Sequence, residues 1–292
     1  MNALHALLAA IVDYAGLFPP AGLDMTRAVR NYAEYRASDD AWMLGRFVVP
    51  IARLDEFRAA RALVGDESDW HLAALLGEDV AGDIALAAAF NERRDSGAII
   101  DALEGRVASP DDVATLAALP VADFRVFAEL PAGVDPGPFL LALRSAGLNA
   151  KVRTGGVTKD SFPSPQWIVS FIRCGIEAEV PFKATAGLHH PVRGLYRLTY
   201  AERAPVGDMY GYLNLFLAAA LMTSGGTEHD AAAILCERDR GAFSLLPNGV
   251  GWHGRSIDTR AIRATRDRVA TSFGSCSFRE PVDELRALAG LQ

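Results

Sequence analysis

Lysine is scarce in this chain of 292 residues: Lys151, Lys159 and Lys183 are the only three among 29 basic side chains. Arginine holds every other cationic position, so the exceptions are informative. Lysine can lose its proton when desolvated and attack a carbonyl, whereas arginine stays protonated. Cysteine is equally sparse, and the odd set Cys174, Cys236 and Cys276 argues against a disulfide framework and for a reducing, cytoplasmic setting. Basic charge is not in excess. A formal net charge of −7 speaks against a protein built to lie along nucleic acid. Long apolar runs are missing too: the stretch 210–222 is interrupted by Asn214 and falls short of the roughly 20 residues a bilayer crossing needs. The opening MNALHALLAAIV has no basic flank and no clear cleavage site, and reads as a short amphipathic helix with Leu4, Leu7, Leu8 and Ile11 on one face. No Walker loop or strand–turn–helix dinucleotide fingerprint is read, so neither a nucleotide nor any other cofactor is implied.

What is present is alternation. β-like runs at 46–50, 70–76, 98–103, 124–130, 149–154 and 181–185 are separated by helical patterns at 53–64, 83–94, 110–118, 137–146 and 165–175. Such alternation predicts parallel βαβ units. Segments near 13–18 and 270–275 supply two further strands, enough to close a TIM (β/α)8-type barrel, although an open doubly wound sheet has the same local signature. Nearly 90 residues separate the strand at 181–185 from the last one. The chain is therefore expected to be one domain, 1–292, with a mainly helical insertion before the last strand. That insertion, at about 191–265, would cap or flank the barrel mouth, or pack against a second subunit, which leaves a homo-oligomer open.

Side chains two apart on a strand share a face, so Lys151 pairs with Arg153 and Lys183 with Thr185. In a barrel that face is the interior. Thr154, Gly155 and Gly156 end the first strand and Ala186 and Gly187 the second, small residues that let a ligand approach backbone amides. Two lysines meeting near the mouth would disfavour each other's protonation. Paired with acids such as Glu129 or Asp101, they would instead be structural. Glu129 and Asp101 are candidate proton carriers or counter-ions, with Glu104 competing for the role of Asp101 because strand ends are uncertain from sequence. Asp13 and Tyr14 precede a Pro-Pro turn and also reach toward the mouth. His189 and His190 follow the second lysine strand as substrate contacts or, with Glu129, as metal ligands; substrate contact is the favoured reading and no metal is expected. His253 in the insertion is left without a place. Ser272, Gly274 and Ser275 precede REPVDELRAL, whose Pro281 suits a first helical turn, and this pattern offers amides and hydroxyls to an anion. Cys276 reads as a small buried apolar residue.

These residues carry a resemblance spread over most of the chain. IVDYAGLFPPA, FRVFAELP, NAKVRTGG, PFKATAGLH and SFGSCSF, in that order, resemble the successive strands of deoxyribose-phosphate aldolase and the wider class I aldolase barrels. The resemblance implies Lys151 as imine-forming nucleophile, Lys183 as the neighbour that lowers its pKa, and Asp101, after a one-residue shift in GAIIDAL, as proton-relay acid. Tyr14 stands where that family has histidine, and Arg153 where it has a small hydroxyl residue. The long insertion has no counterpart there, so the chain resembles a divergent relative.

The expectation is thus a lyase that acts on a small anionic aldehyde or ketone through a Schiff base. Arg153 and the Ser272–Cys276 turn would hold the anion by charge-assisted bonds. A second expectation keeps the barrel but uses both lysines and Arg153 as an electrostatic clamp without an imine. A third is a non-catalytic binding or scaffold protein.

Overall fold

The computed structural model describes residues 2–66, 68–93 and 97–289; residue 94, the expected end of one helix, lies outside them. In chain order the first seven strands are β1 (Val12–Tyr14), β2 (Leu44–Pro50), β3 (Trp70–Leu75), β4 (Ala98–Arg106), β5 (Arg125–Glu129), β6 (Asn149–Arg153) and β7 (Phe182–Thr185). A hairpin of β8 (Gly194–Arg197) and β9 (Val206–Met209) follows, then a three-stranded antiparallel sheet of β10 (Phe243–Leu246), β11 (Gly249–Trp252) and β12 (Arg255–Asp258), and finally β13 (Ala270–Ser275). Strands β1 to β7 and β13 close an all-parallel barrel of eight, with β1 bonded to both β2 and β13.

Barrel strands are covered on both faces, which is why runs such as RFVVP and WHLAALL are nearly continuous in apolar character. Outward residues join the main core against the helices. A small separate core of Val48, Ala73, Ala102 and Phe127 fills the interior. Short local signals set where several ring helices begin. Ser109, Asp135 and Ser164 each cap a helix through the side chain with proline next in line, starting Pro110–Ala117, Pro136–Ala146 and Pro165–Glu177. Gly147 ends the second of these at φ 68°, a left-handed conformation that glycine adopts without penalty.

Between β7 and β13 the long segment carries three helices and five short strands. Helix Tyr212–Thr223 is buried almost all round, among helices Pro165–Glu177, Glu228–Cys236 and Thr259–Arg268. Tyr212 stacks on Phe273 of β13 with ring centroids 5.1 Å apart, so this helix takes the ring position after β7 instead of capping the mouth. Its Asn214 is fully buried and satisfied: the side-chain oxygen accepts from Arg193 N–H, and the amide donates to the carbonyls of Ile234 and Glu237. Only the β8–β9 hairpin reaches the mouth, while the three-stranded sheet contacts the first helix, Ala3–Leu8. GVGWHG at 249–254 has the glycine spacing of a dinucleotide fingerprint, but it runs along an antiparallel strand into a tight turn and β12 follows, so no helix N-terminus faces it. Among the described residues no helix is long and apolar enough to cross a membrane.

Candidate functional site

Strand register does most of the assembly. Lys151 lies directly beside Lys183 across β6 and β7, and Glu129 directly beside Lys151 across β5 and β6. Parallel neighbours in register point the same way, so the three side chains converge inside the barrel. Glu104, on β4, enters the same layer.

The result is one chain of alternating charge. Ser272 Oγ donates to Asp13 Oδ2 at 2.9 Å, and Lys183 Nζ lies 2.5 Å from the same oxygen. Lys183 is also 2.5 Å from Glu104 Oε1, while Glu104 Oε2 is 2.8 Å from Lys151 Nζ. Lys151 continues to Glu129 Oε2 at 2.8 Å, and Glu129 Oε1 accepts from Arg153 Nε at 2.9 Å. Three cations therefore meet three carboxylates. Side-chain exposure rises along the chain, from 1% at Lys183 through 6% at Lys151 to 37% at Arg153, so the chain runs from the dry interior to the rim.

Burial and partners act against each other on these groups. Desolvation would raise the Glu104 carboxyl, but the two lysines outweigh it and hold the group down at about 2. Burial likewise raises Glu129, yet Lys151 and Arg153 leave it below the ordinary carboxylate range. Burial alone would push Lys183 down; Asp13 and Glu104 overcome that and raise it. Lysine depressing lysine, as expected from their proximity, is therefore not the arrangement found. A carboxylate stands between them and stabilises the charged form.

Above this chain opens a cavity of about 780 Å³, a size suited to a small molecule. Its walls include Lys151, Lys183, Glu104, Glu129, Arg153, Gly187, His189, His190 and Gly274. Five of the residues singled out in the sequence sit elsewhere. Asp13 is sealed beneath the lysines, with its other oxygen taken by the N–H of Arg46 at 2.8 Å. Thr154 donates to the carbonyl of Ala186 at 2.6 Å, and a Cβ on Gly155 would come within 3.0 Å of the Gly187 Cα, so both lock two loops together. Ser275 accepts from the N–H of Ser277 at 3.3 Å inside its own turn.

Asp101 is the fifth. β4 carries one extra residue against β3, with Leu72 opposite Ile100 but Ala73 opposite Ala102. The bulge falls at Asp101, which pairs with Arg46 at 2.6 and 3.0 Å and with His71 at 2.9 Å and does not line the cavity. Glu104, the competitor weighed beside Asp101, stands between the lysines. The proton-relay role of Asp101 was implied by the resemblance with its one-residue shift, and the bulge instead turns that side chain to Arg46.

The two histidines diverge. His189 Nδ1 lies 3.0 Å from Glu280 and His190 Nδ1 2.6 Å from Glu284, while Glu129 is committed to the lysine chain. No three His, Cys, Asp or Glu side chains among the described residues converge on a common point for a metal. His253 bonds Glu237 at 2.6 Å and is not part of the cavity wall. The turn expected to hold an anion brings a carboxylate, Glu280, to that wall at the start of its helix. Arg153 is engaged by Glu129. The cations at the rim without an ion-pair partner among the described residues are Arg106, which ends β4, and Arg197, delivered by the hairpin. Sequence reading missed both, because an arginine signals nothing in a chain with 26 of them.

No model of a known protein family matches the chain, and no curated protein does. The functional reading therefore stands on the geometry of the site.

Proposed function

We propose that the protein is a carbonyl lyase of the class I aldolase type, with Lys151 as the imine-forming amine and a small anionic aldehyde or ketone as substrate. The observation that carries this reading is a lysine at the cavity wall whose Nζ lies 2.8 Å from each of two carboxylates. The two carboxylates flank the Lys151 Nζ and carry its protons through the reaction. Glu129 or Glu104 takes one proton, the freed amine adds to the substrate carbonyl, and the returned proton leaves with the hydroxyl as water. The resulting iminium accepts the electron pair of the breaking carbon–carbon bond. The same carboxylates take the proton from the departing hydroxyl and return one to the enamine carbon, and water then frees the product. Lys183 keeps its charge and fixes Glu104.

The substrate's anionic group would sit at Arg106 and Arg197, and Arg153 would orient Glu129. Borohydride reduction in the presence of small aldehydes and ketones, with mass mapping of adducts, tests the reading. A reduced adduct on Lys151 is expected; a broad panel that leaves Lys151 unlabelled overturns it.

One observation favours a second reading. Because its two carboxylates raise Lys183, the site also suits an electrostatic clamp for a carboxylated or phosphorylated substrate, with both lysines charged throughout. That reading requires turnover without any trapped adduct.

A further inference from the structure

A second group of reactive side chains lines the same cavity and takes no part in the lysine–carboxylate chain. Cys276 follows β13, His189 follows β7, Glu280 opens the helix Arg279–Ala289, and Tyr200 lies in the β8–β9 loop. Glu280 Oε2 is 3.0 Å from His189 Nδ1 and accepts from the Tyr200 hydroxyl at 2.8 Å. The sulfur of Cys276 lies 3.9 Å from Nε2 and 4.0 Å from Nδ1 of His189, and 3.7 Å from the Tyr200 hydroxyl. Catalytic contacts of this kind are commonly long before a ligand is bound.

Three separate pieces of chain thus place a thiol against an imidazole that a carboxylate orients. A nucleophile beside a proton-carrying ring that a third group orients is the arrangement of covalent catalysis. Burial would lower His189, but its bonds to Cys276 and Glu280 raise it to about 10, so the ring is poised to hold a proton. A metal centre does not compete, because His190 is turned to Glu284 and stacked on Tyr196 with centroids 3.5 Å apart. Arg106 and Arg197 in the same wall add positive charge with no carboxylate of their own among the described residues.

We propose that Cys276 is the nucleophile of a second reactive centre, with His189 as its base and Glu280 as positioning carboxylate, and that it adds to a small carbonyl compound bearing an anionic group. Sulfur bonds to the carbonyl carbon and the carbonyl π pair moves to oxygen, which takes a proton from His189. The thiol proton then passes to His189 and restores it. The product is a hemithioacetal or hemithioketal, formed without oxidant or leaving group. Nothing in this step involves Lys151.

The test is alkylation of the intact protein by iodoacetamide or iodoacetate at pH 6.5, with rates at each cysteine read by mass spectrometry. Cys236 is exposed and serves as internal reference. Cys276 is expected to react about tenfold faster than Cys236 despite its burial, and His189→Gln to slow it by about tenfold. The ratio of iodoacetate to iodoacetamide rates should be higher at Cys276 than at Cys236, and glyoxylate should protect Cys276 in the Lys151→Met variant. Slower labelling of Cys276 than of Cys236 in the unaltered protein overturns the proposal, as does an unchanged rate in a folded His189→Gln protein. Equal reagent ratios overturn the anionic ligand, and lack of protection by glyoxylate overturns the carbonyl ligand. The comparison within the unaltered protein decides the matter if the variant fails to fold. Failure of borohydride trapping at Lys151 leaves every one of these readouts intact.

Discussion

The barrel interior holds charge at both ends, and the two ends differ in what surrounds it. Toward the strand C-termini, Lys183, Glu104, Lys151 and Glu129 are nearly dry and open onto a cavity, with Asp13 sealed beneath them. Toward the N-termini, Arg46 and Asp101 make a bidentate pair with side chains 23% and 29% exposed, His71 caps it from solvent, and none of the three lines the cavity. Arg125 lies near this pair, and burial together with the repulsion of Arg46 lowers it. The lesson is that charge inside a barrel is not by itself a site. What separates the two ends is a shared carboxylate between two lysines, exclusion of water, and an adjoining volume that a ligand can fill.

Removing the amine at the upper end tests this difference most strongly. Lys151→Met is expected to abolish borohydride adducts and to reduce lyase turnover by roughly 10⁴-fold or more. Asp101→Asn at the lower end should leave turnover within about twofold. Equal losses in both would erase the distinction.

Stability gives the next largest contrast. Lys183→Met leaves the buried Asp13 carboxylate without a cation and Glu104 with Lys151 alone, and a loss of about 3–5 kcal/mol is expected in urea unfolding. Adding Glu104→Gln should recover part of it, since the buried negative charge in excess is then reduced by one. Asp101→Asn, at a partly solvated pair, should cost only about 1–2 kcal/mol.

Acid titration sharpens the same point. Glu104 has its ordinary value of 4.5 lowered to about 2 by folding, so its contribution is complete above pH 4.5 and is lost as the pH falls from 4.5 toward 2. The size of that loss is about 3 kcal/mol, and Glu129 adds in the same direction. Lys183 works oppositely: folding raises it above 10.5, so its contribution holds below that pH and fades only as the pH climbs through the raised value. These carboxylates and Lys183 together leave stability flat from about pH 5 to 10 apart from the smaller effect of His189. In Glu104→Gln the acid limb should be visibly shallower in thermal melts between pH 4.5 and 2.

The smallest effect concerns the rim. His189 is raised from 6.5 to about 10, so its stabilisation is complete below pH 6.5 and declines between there and pH 10. His189→Gln should flatten that shallow alkaline decline without altering the acid limb; an unchanged alkaline limb would show that the pairing with Glu280 and Cys276 does not persist in solution.

The barrel was legible because its signals are local. The strand at 270–275 and the helix starts at Ser109–Pro110 and Ser164–Pro165 can be read from a few neighbouring residues, and the order of elements then restricts the topology. Lys151 and Lys183 stood out by rarity, and their strands' alternation put both inside. Glu104 was weighed and placed second, since nothing local reveals that β4 carries a bulge at Asp101. Helix Tyr212–Thr223 was left among several places, over or beside the mouth or against a second subunit, because a helix apolar on every side says only that it is enclosed, not by what.

From residue order alone came the alternating architecture, the inward lysines and the absence of membrane-length apolar runs, all consequences of periodicity and composition. Tertiary structure decided which carboxylate stands between the lysines, that Lys183 is held charged, and that His189, Glu280 and Tyr200 gather around Cys276. Those outcomes depend on register, on one extra residue in a strand, and on contacts between segments up to 170 positions apart, where water is excluded and the balance of desolvation against pairing is set.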